Sequence, residues 1–247
     1  MDLNSKWYHR MLVTANKAAK IPGLKTLLKP IYYPFKQHIE QTQRKKFLQN
    51  GLAVLKRFDR CMEDNNIEYT LAFGTLLGAV REKGFIKHDL DIDVYVWNQQ
   101  YSEKLVSTLH SAGFERIHAF EVDGGRLGRE ETYHCQGVAI DIFYLYDNGD
   151  QLPYCCDFGT MEGCATFMQC MRKYGYVTVR KISLPIDHRR TRVPFESIKM
   201  YIPANAEQIL TFRYGEDYMI PNPKWSINSY NKHIVDWSEQ KAHYYEW

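Results

Sequence analysis

The sequence lacks the features by which several classes of protein are recognised. No apolar run among its 247 residues approaches the roughly 18 residues that a membrane-spanning helix needs. No compact apolar stretch followed by a small-residue cleavage site stands near the N-terminus, and there is neither an internal repeat nor a low-complexity segment. These absences predict a protein without a membrane span or a signal peptide, and they argue against a fibrous fold.

Cysteine is too scarce for a disulfide framework in a chain of this length. The six cysteines are Cys61, Cys135, Cys155, Cys156, Cys164 and Cys170. We expect reduced thiols and a cytoplasmic location, since disulfide frameworks belong to small secreted domains. The last four cysteines leave a zinc site open, but their spacing matches no C-x-x-C pair, so buried or free thiols are favoured.

Positive charge is unevenly distributed along the chain. Residues 1–50 contain ten Lys or Arg and two acidic residues, whereas the rest contains 22 basic and 27 acidic residues. A basic arm of net charge +8 therefore precedes a body of net charge −5. The composition, 45% hydrophobic and 25% charged, is that of a folded protein rather than a disordered one.

The basic arm, residues 1–43, mixes cationic with large apolar side chains. Pro22, Pro30 and Pro34 are expected to divide it into short helical pieces. Two interpretations are open: residues 1–40 lie on an anionic membrane surface, or they form a helical extension packed on the body. Nucleic acid is not an expected partner, because the body is acidic and carries no nucleic-acid-binding motif.

Hydrophobic periodicity predicts a mixture of helices and strands. The predicted helices cover residues 44–66, 102–112 and 205–215, and the predicted strands cover residues 67–73, 90–97, 114–122, 127–135, 138–146 and 176–186. A turn or short helix follows residue 73, and Asn148-Gly149 predicts a hairpin turn. Ser102 is a plausible N-cap, and Asn205 with Gln208 resembles a capping pair. We expect an α/β or α+β body over residues 44–225, with an aromatic tail, residues 226–247, packed on it.

The most informative residues are two aspartates on a predicted strand. Asp91 and Asp93 are two positions apart, so both carboxylates project from the same face. Adjacent ionised carboxylates repel each other, and a hard divalent cation removes that cost. The pair therefore predicts a site for Mg²⁺ or Mn²⁺ that also meets substrate phosphates.

A glycine and several basic residues precede this pair. Gly74 and Thr75 follow a predicted strand, where glycine lets the backbone approach a phosphate and the Thr hydroxyl adds a donor. Arg81, Lys83 and Lys87 lie between the two elements and carry charge that neutralises phosphate oxygens. Arg81 is the strongest candidate among them, and Lys87 is also assigned to the substrate.

Asp141 is the candidate third carboxylate. It is a charged residue inside the apolar strand that contains Ile140 and Ile142, a placement that costs free energy unless the group is paired or ligates a metal. If this strand lies beside the one that carries Asp91 and Asp93, the three carboxylates converge. Asp141 would then be a metal ligand, or the base that takes a proton from an acceptor hydroxyl.

The run from Gly74 through Arg81 to Ile86, followed by Asp91 and Asp93, resembles the signature of the LicD family, which includes bacterial phosphocholine transferases and, more distantly, the fukutin proteins. Two later elements, Asp141 with its flanking residues and the segment 214–221, also resemble family motifs. The similarity spans residues 47–225. It departs from the family pattern at residues 88–90 and at Tyr218, which stands where Trp is usual.

The resemblance implies a nucleotidyltransferase-like fold of the polymerase-β class, a mixed sheet flanked by helices. It implies that Gly74 and Thr75 hold phosphate, that Asp91 and Asp93 bind Mg²⁺ or Mn²⁺, and that Asp141 completes the catalytic site. The implied donor is a CDP-linked alcohol such as CDP-choline, CDP-ribitol or CDP-glycerol. A sugar hydroxyl of a cell-surface glycan, in a polysaccharide or lipopolysaccharide, would attack the phosphorus next to the alcohol and release CMP.

Other enzyme classes use similar carboxylates. A metal-dependent glycosyltransferase holds a nucleotide sugar with Asp-x-Asp, although the Gly-Thr-Leu-Leu-Gly block upstream is not part of that pattern. Direct nucleotidyl transfer would use the same three carboxylates and release pyrophosphate. A catalytically silent glycan-binding relative is the non-enzymatic alternative, and the three intact aspartates argue against it. The favoured location is cytoplasmic, and peripheral attachment to the cytoplasmic face of the membrane stays one of the two interpretations of the basic arm.

Overall fold

A long helix opens the described part of the chain. The computed structural model describes residues 24–222, 234–237 and 239–247, and helix α1 runs from Leu24 to Asp64 without interruption. The prediction of short pieces is wrong from Leu24 onward, because Pro30 and Pro34 lie inside this helix. Each proline removes one backbone hydrogen bond and leaves the turns on either side intact. Pro22, like all of residues 1–23, lies outside the described residues.

The second half of α1 confirms the predicted helix over residues 44–66 and packs on the sheet. Phe47, Val54, Leu55, Phe58 and Met62 are buried at helical spacing. The helix contacts the two strands that carry the aspartates. This apolar stripe therefore anchors the helix to the body, whereas Leu48, which the sequence pattern includes in the stripe, is exposed.

The remaining elements of the described residues are four helices, one 3-10 turn and eleven strands. The helices are α2 (Phe73–Arg81), α3 (Glu103–Ser111), α4 (Phe167–Tyr174) and α5 (Ala206–Tyr214), with a 3-10 turn at Asn98–Gln100. The strands are β1 (Tyr69–Leu71), β2 (Asp91–Trp97), β3 (Glu115–Val122), β4 (Gly128–Cys135), β5 (Val138–Asn148), β6 (Gln151–Gly159), β7 (Thr178–Ser183), β8 (Arg190–Phe195), β9 (Ile198–Pro203), β10 (Ile234–Asp236) and β11 (Ala242–Glu246).

A mixed sheet of nine strands forms the centre of the described fold. Its main path is β10-β7-β6-β5-β4-β3-β11; β2 pairs with β5, and β1 pairs with β2. The β2–β5 pair is parallel, and the other pairs in this sheet are antiparallel. Strands β8 and β9 form a separate hairpin. The predicted mixture of helices and strands is confirmed, and the architecture is consistent with α+β.

Several local predictions hold in detail. The Ser102 hydroxyl accepts a hydrogen bond from the Leu105 backbone N–H and caps α3. Gly149 adopts a φ of +61° in the turn between β5 and β6, as the hairpin signal predicts. The predicted capping pair of Asn205 and Gln208 is wrong, because the Asn205 side chain makes no capping hydrogen bond to α5. Its amide donates to the Pro185 carbonyl and the Gln208 side chain instead.

Other segments differ from the sequence prediction. The strand predicted over residues 67–73 is shorter, because Ala72 already forms the N-cap of α2. The strand predicted over residues 176–186 covers only Thr178–Ser183. Strands β6, β8 and β9 and helix α4 were not predicted. The described parts of the aromatic tail are strands β10 and β11, which pair with β7 and β3.

All six cysteines are free and buried. In the described ranges, no helix is long and apolar enough to cross a membrane.

Candidate active site

The sheet register brings the predicted carboxylates together. In the parallel pair of β2 and β5, Asp93 stands opposite Asp141, and Asp91 precedes Asp93 by two residues on the same face. On the other side of β5, Thr132 of β4 stands opposite Asp141, and His118 of β3 stands opposite Thr132. Four neighbouring strands therefore present one polar row, which we call the carboxylate row: Asp93, Asp141, Thr132 and His118.

Burial and mutual repulsion make the ionised aspartates costly. Burial raises the pKa of Asp141 to about 6, although a hydrogen bond from Thr132 opposes the shift. Burial, followed by the charges of Asp91 and Asp141, raises the pKa of Asp93 well above its usual range. Burial also raises the pKa of Asp91. A bound cation would offset these effects.

Asp89, Asp91, Asp93 and Asp141 form an acidic cluster, and Asp89 was missed as a site residue. Burial raises its pKa to about 6, opposed by a hydrogen bond that its carboxylate accepts from the Ile86 backbone N–H at 2.8 Å. The signal that identifies it is its position two residues before Asp91, which continues the alternation of the Asp-x-Asp pair beyond the start of β2.

Gly74 and Thr75 both contact the Asp93 region. The Gly74 backbone N–H donates to the Asp93 carboxylate. A Cβ atom at Gly74 would stand 3.7 Å from a carboxylate oxygen of Asp89 and 3.7 Å from one of Asp93. The buried Thr75 hydroxyl accepts a hydrogen bond from the Asp93 backbone N–H at 3.0 Å. These contacts position Asp93, and the predicted phosphate contacts of Gly74 and Thr75 stay predictions.

Arg81 and Lys87 line a cavity of about 810 Å³ beside the acidic cluster, and the aspartates are not part of its lining. Arg81 is held there by Glu82 at 2.8 Å and by the Tyr218 carbonyl at 3.4 Å, and its charge opposes the raised pKa of Asp89. The cavity also includes residues from Tyr214 to Asn222. Arg81 and Lys87 thus line the cavity together with residues of the segment 214–221, and not together with Asp91, Asp93 and Asp141.

The donor set fits a hard divalent cation. Asp91, Asp93 and Asp141 supply only carboxylate oxygens, the ligands that Mg²⁺ and Mn²⁺ prefer, and the glycine at position 74 leaves the space above two of the acidic side chains without a methyl group. Among the described residues, no three His, Cys, Asp or Glu side chains already form a coordinating group.

A second row lies next to the carboxylate row on the same face. Tyr95, Phe143, Glu130 and Phe120 are successive register partners on β2, β5, β4 and β3. Burial, followed by the charge of Asp141, raises the pKa of Glu130 well above its usual range. Sequence reasoning missed Glu130 because only the pairing of β4 with β5 brings it near the aspartates.

Comparison with known proteins gives matches over the part of the chain that contains these residues. Residues 66–205, more than half of the chain, match the family model described as LicD/FKTN/FKRP, nucleotidyltransferase domain. Ribitol-5-phosphate transferase FKTN of Mus musculus is 24% identical over 186 residues, which cover 74% of this chain and 36% of the mouse protein. The Homo sapiens protein of that name is 21% identical over 196 residues, covering 77% of this chain and 38% of the human protein.

A bacterial relative matches a shorter stretch with a higher identity. Lipopolysaccharide cholinephosphotransferase LicD of Haemophilus influenzae is 48% identical over 50 residues, which are 20% of this chain and 19% of that protein. The chain thus spans little more than a third of the length of the fukutins and a fifth of the length of LicD in these matches.

Proposed function

Because the chain belongs to the LicD/FKTN/FKRP nucleotidyltransferase-domain family, we propose that it transfers a phospho-alcohol group to a sugar hydroxyl. The donor is a CDP-linked alcohol, the transferred group is phosphocholine or a polyol phosphate, and CMP is released. The relatives named above are transferases of ribitol phosphate and of phosphocholine. The single observation that carries the proposal is the register of Asp93 opposite Asp141, with Asp91 on the same face.

In this proposal Asp91 and Asp93 hold Mg²⁺ or Mn²⁺. The cation would neutralise charge on the phosphate oxygens during transfer. Gly74 keeps the space over Asp89 and Asp93 clear for a phosphate, since a side chain there would contact both carboxylates. The nucleotidyltransferase-like fold of the polymerase-β class is part of the same proposal, supported by the family description and by the mixed sheet.

The transfer forms a bond between the acceptor oxygen and the phosphorus next to the alcohol, and it breaks the bond from that phosphorus to the CMP oxygen. The acceptor hydroxyl must lose its proton. Asp141, with a pKa of about 6, is suited either to take that proton or to complete the ligands of the cation beside Asp93. Arg81 and Lys87 are assigned to the negative charge of the donor, because they share one cavity next to the acidic cluster.

The acceptor in this proposal is a glycan, free or lipid-linked, of a cell-envelope polysaccharide. A cytoplasmic site at the membrane surface would suit a lipid-linked acceptor. What supports it is the net charge of +8 in residues 1–50, which matches an anionic lipid surface.

The test is CMP release from a panel of CDP-choline, CDP-ribitol, CDP-glycerol and CDP-ethanolamine, with Mg²⁺ or Mn²⁺ and a mixture of glycan acceptors. UDP-sugars serve as competing donors, and pyrophosphate is assayed to detect nucleotidyl transfer. The expected result is metal-dependent CMP release from one donor that Asp93→Asn abolishes. The matched control is Asp150→Asn, an exposed residue in the turn between β5 and β6. Hydrolysis of a UDP-sugar alone, or release of pyrophosphate, would contradict the proposal.

A further inference from the structure

The carboxylate row continues beyond the aspartates as a chain of hydrogen bonds. The Thr132 hydroxyl oxygen lies 2.5 Å from Oδ1 of Asp141. The Thr132 hydroxyl oxygen also lies 2.9 Å from Nε2 of His118. The three residues are register partners on β5, β4 and β3, so the strands themselves fix the spacing. Thr132 is buried, which protects both bonds from exchange with water.

The direction of each bond follows from its chemistry. An ionised carboxylate only accepts hydrogen bonds, so the single hydroxyl proton of Thr132 points to Asp141. The hydroxyl oxygen then accepts from His118, which must carry its proton on Nε2. Donation therefore runs from His118 through Thr132 to Asp141 and involves only one oxygen of the carboxylate, Oδ1.

The His118 ring is held in place by its own neighbours. It packs against the rings of Phe120 and Tyr244, with centroid distances of 5.5 and 5.7 Å. Tyr244 belongs to β11, the strand that pairs with β3. The chain of contacts thus runs from the C-terminal strand to the third carboxylate of the candidate site.

We propose that Thr132 is a positioning residue for Asp141, and that His118 orients the Thr132 hydroxyl. The inference rests on the proposed function. Whether Asp141 ligates the cation or takes the acceptor proton, one of its oxygens must stand at a fixed place. A bond that engages Oδ1 fixes the side-chain rotation and leaves Oδ2 for that task. A valine at position 132 has nearly the same shape and would fill the same space, so Thr132→Val removes the hydroxyl and little else.

The experiment compares Thr132→Val, Thr132→Ser and Asp141→Asn in the full chain. Mn²⁺ affinity is measured by electron paramagnetic resonance, and kcat and KM are measured by CMP release. Thr132→Val is expected to weaken, by about 10- to 100-fold, the same parameter that Asp141→Asn weakens, either Mn²⁺ affinity or kcat. The KM for the CDP-alcohol should stay unchanged. Thr132→Ser, which keeps the hydroxyl, should restore most of the loss, and His118→Phe should cause a smaller loss than Thr132→Val.

The outcomes separate this inference from the proposed function. If Thr132→Val weakens Mn²⁺ binding and Thr132→Ser restores it while no donor gives CMP, the positioning role stands and the proposed reaction fails. If the wild type releases CMP and Thr132→Val equals Thr132→Ser in every parameter, the reaction stands and the positioning role is overturned. Absence of both Mn²⁺ binding and CMP release in the wild type would overturn both. Melting temperatures of all variants identify any that fail to fold.

Discussion

Asp93 and Asp141 stand opposite each other on two parallel strands, although 48 positions separate them in the sequence. This pair lies in the sheet's one parallel pairing within the described residues. A parallel connection needs a long crossover, and here the intervening chain includes α3, β3 and β4. The crossover brings Thr132 and His118 to the far side of Asp141, so the same topology that joins the two aspartates also supplies the groups that hold one of them.

Replacement of Asp93 by Asn should separate stability from activity. The Asp93 carboxylate is buried and repelled by Asp91 and Asp141, so an uncharged amide of the same shape should raise the melting temperature in a metal-free buffer. CMP release and stabilisation by Mn²⁺ should both be lost, activity by at least about 100-fold. Differential scanning fluorimetry with and without Mn²⁺ measures the first effect. A metal-free variant less stable than the wild type would contradict the electrostatic argument.

Arg81→Gln should raise the KM for the donor more than it lowers kcat. The Arg81 side chain lines the cavity and is held there by Glu82 and the Tyr218 carbonyl. Loss of one hydrogen bond from a charged donor to a phosphate corresponds to about 10- to 100-fold in KM. The matched control is Arg126→Gln, since Arg126 is an exposed arginine in the turn between β3 and β4. Equal effects of the two substitutions would remove Arg81 from the donor site.

Glu131 and Glu130 are adjacent on β4 but should respond oppositely to substitution. The fully buried Glu131 accepts hydrogen bonds from Tyr133 at 3.0 Å, Tyr144 at 2.8 Å and Arg116 at 3.1 Å. Glu131→Leu strips these donors of their acceptor and should lower the free energy of unfolding by about 3–5 kcal/mol.

Glu130→Gln is the paired comparison, because the Glu130 carboxyl faces the charges of Asp141, Asp157 and Asp93 instead of a cation. Its removal should leave the free energy of unfolding equal or higher. Urea denaturation of both variants measures the difference. Comparable destabilisation by the two substitutions would show that the opposite faces of β4 are not electrostatically distinct.

His134 should make the protein less stable in acid. Burial lowers the pKa of His134 below its ordinary 6.5; Glu115 opposes this shift and Lys46 adds to it. The folded state therefore binds fewer protons than the unfolded state between the lowered pKa and 6.5. This contribution to stability is fully present above that window and is lost as the pH falls through it.

The wild type should consequently lose more free energy of unfolding than His134→Gln between about pH 7.5 and about pH 5.5. Urea denaturation at a series of pH values provides the comparison. His110→Gln, at an exposed position on α3, is the control and should follow the wild type. Parallel pH profiles for the wild type and His134→Gln would contradict the prediction.

The basic arm should bind anionic membranes. Replacement of Lys17, Lys20, Lys25 and Lys29 by Gln removes four positive charges, each of which contributes about 1 kcal/mol near an anionic surface. Sedimentation with phosphatidylglycerol vesicles should show that the variant binds at least tenfold more weakly than the wild type. Added salt should weaken the binding of the wild type. The matched control replaces four exposed lysines that lie outside the arm: Lys56, Lys104, Lys199 and Lys241. If both sets weaken binding equally, the arm has no special role.

Much of the candidate site could be predicted from local pattern. The alternation around Asp91 and Asp93 predicts a strand with both carboxylates on one face, and β2 confirms it. Asp141 stands out as a charge in an apolar strand, and the register places it beside Asp93. These predictions succeeded because a strand has a fixed two-residue period, so neighbours in the sequence determine the face on which a side chain lies.

Other residues carry no such local signal. Thr132, His118 and Glu130 belong to strands whose sequences give no reason to place them beside an aspartate, and they become neighbours only through the pairing of β3, β4 and β5. Pro30 and Pro34 carry a local signal that gave a wrong prediction of helix breaks, since α1 continues through both.

The sequence by itself therefore determined the kinds of element, the face that each carboxylate occupies and the family resemblance. Only the tertiary structure decided which strands are neighbours, because pairing between distant segments depends on burial of the whole sheet against its helices. That decision sets the contacts of Asp141 with Thr132 and the separation of the Arg81 cavity from the aspartates. Local periodicity is a property of a few adjacent residues, whereas the electrostatics of a buried carboxylate arise from every strand that surrounds it.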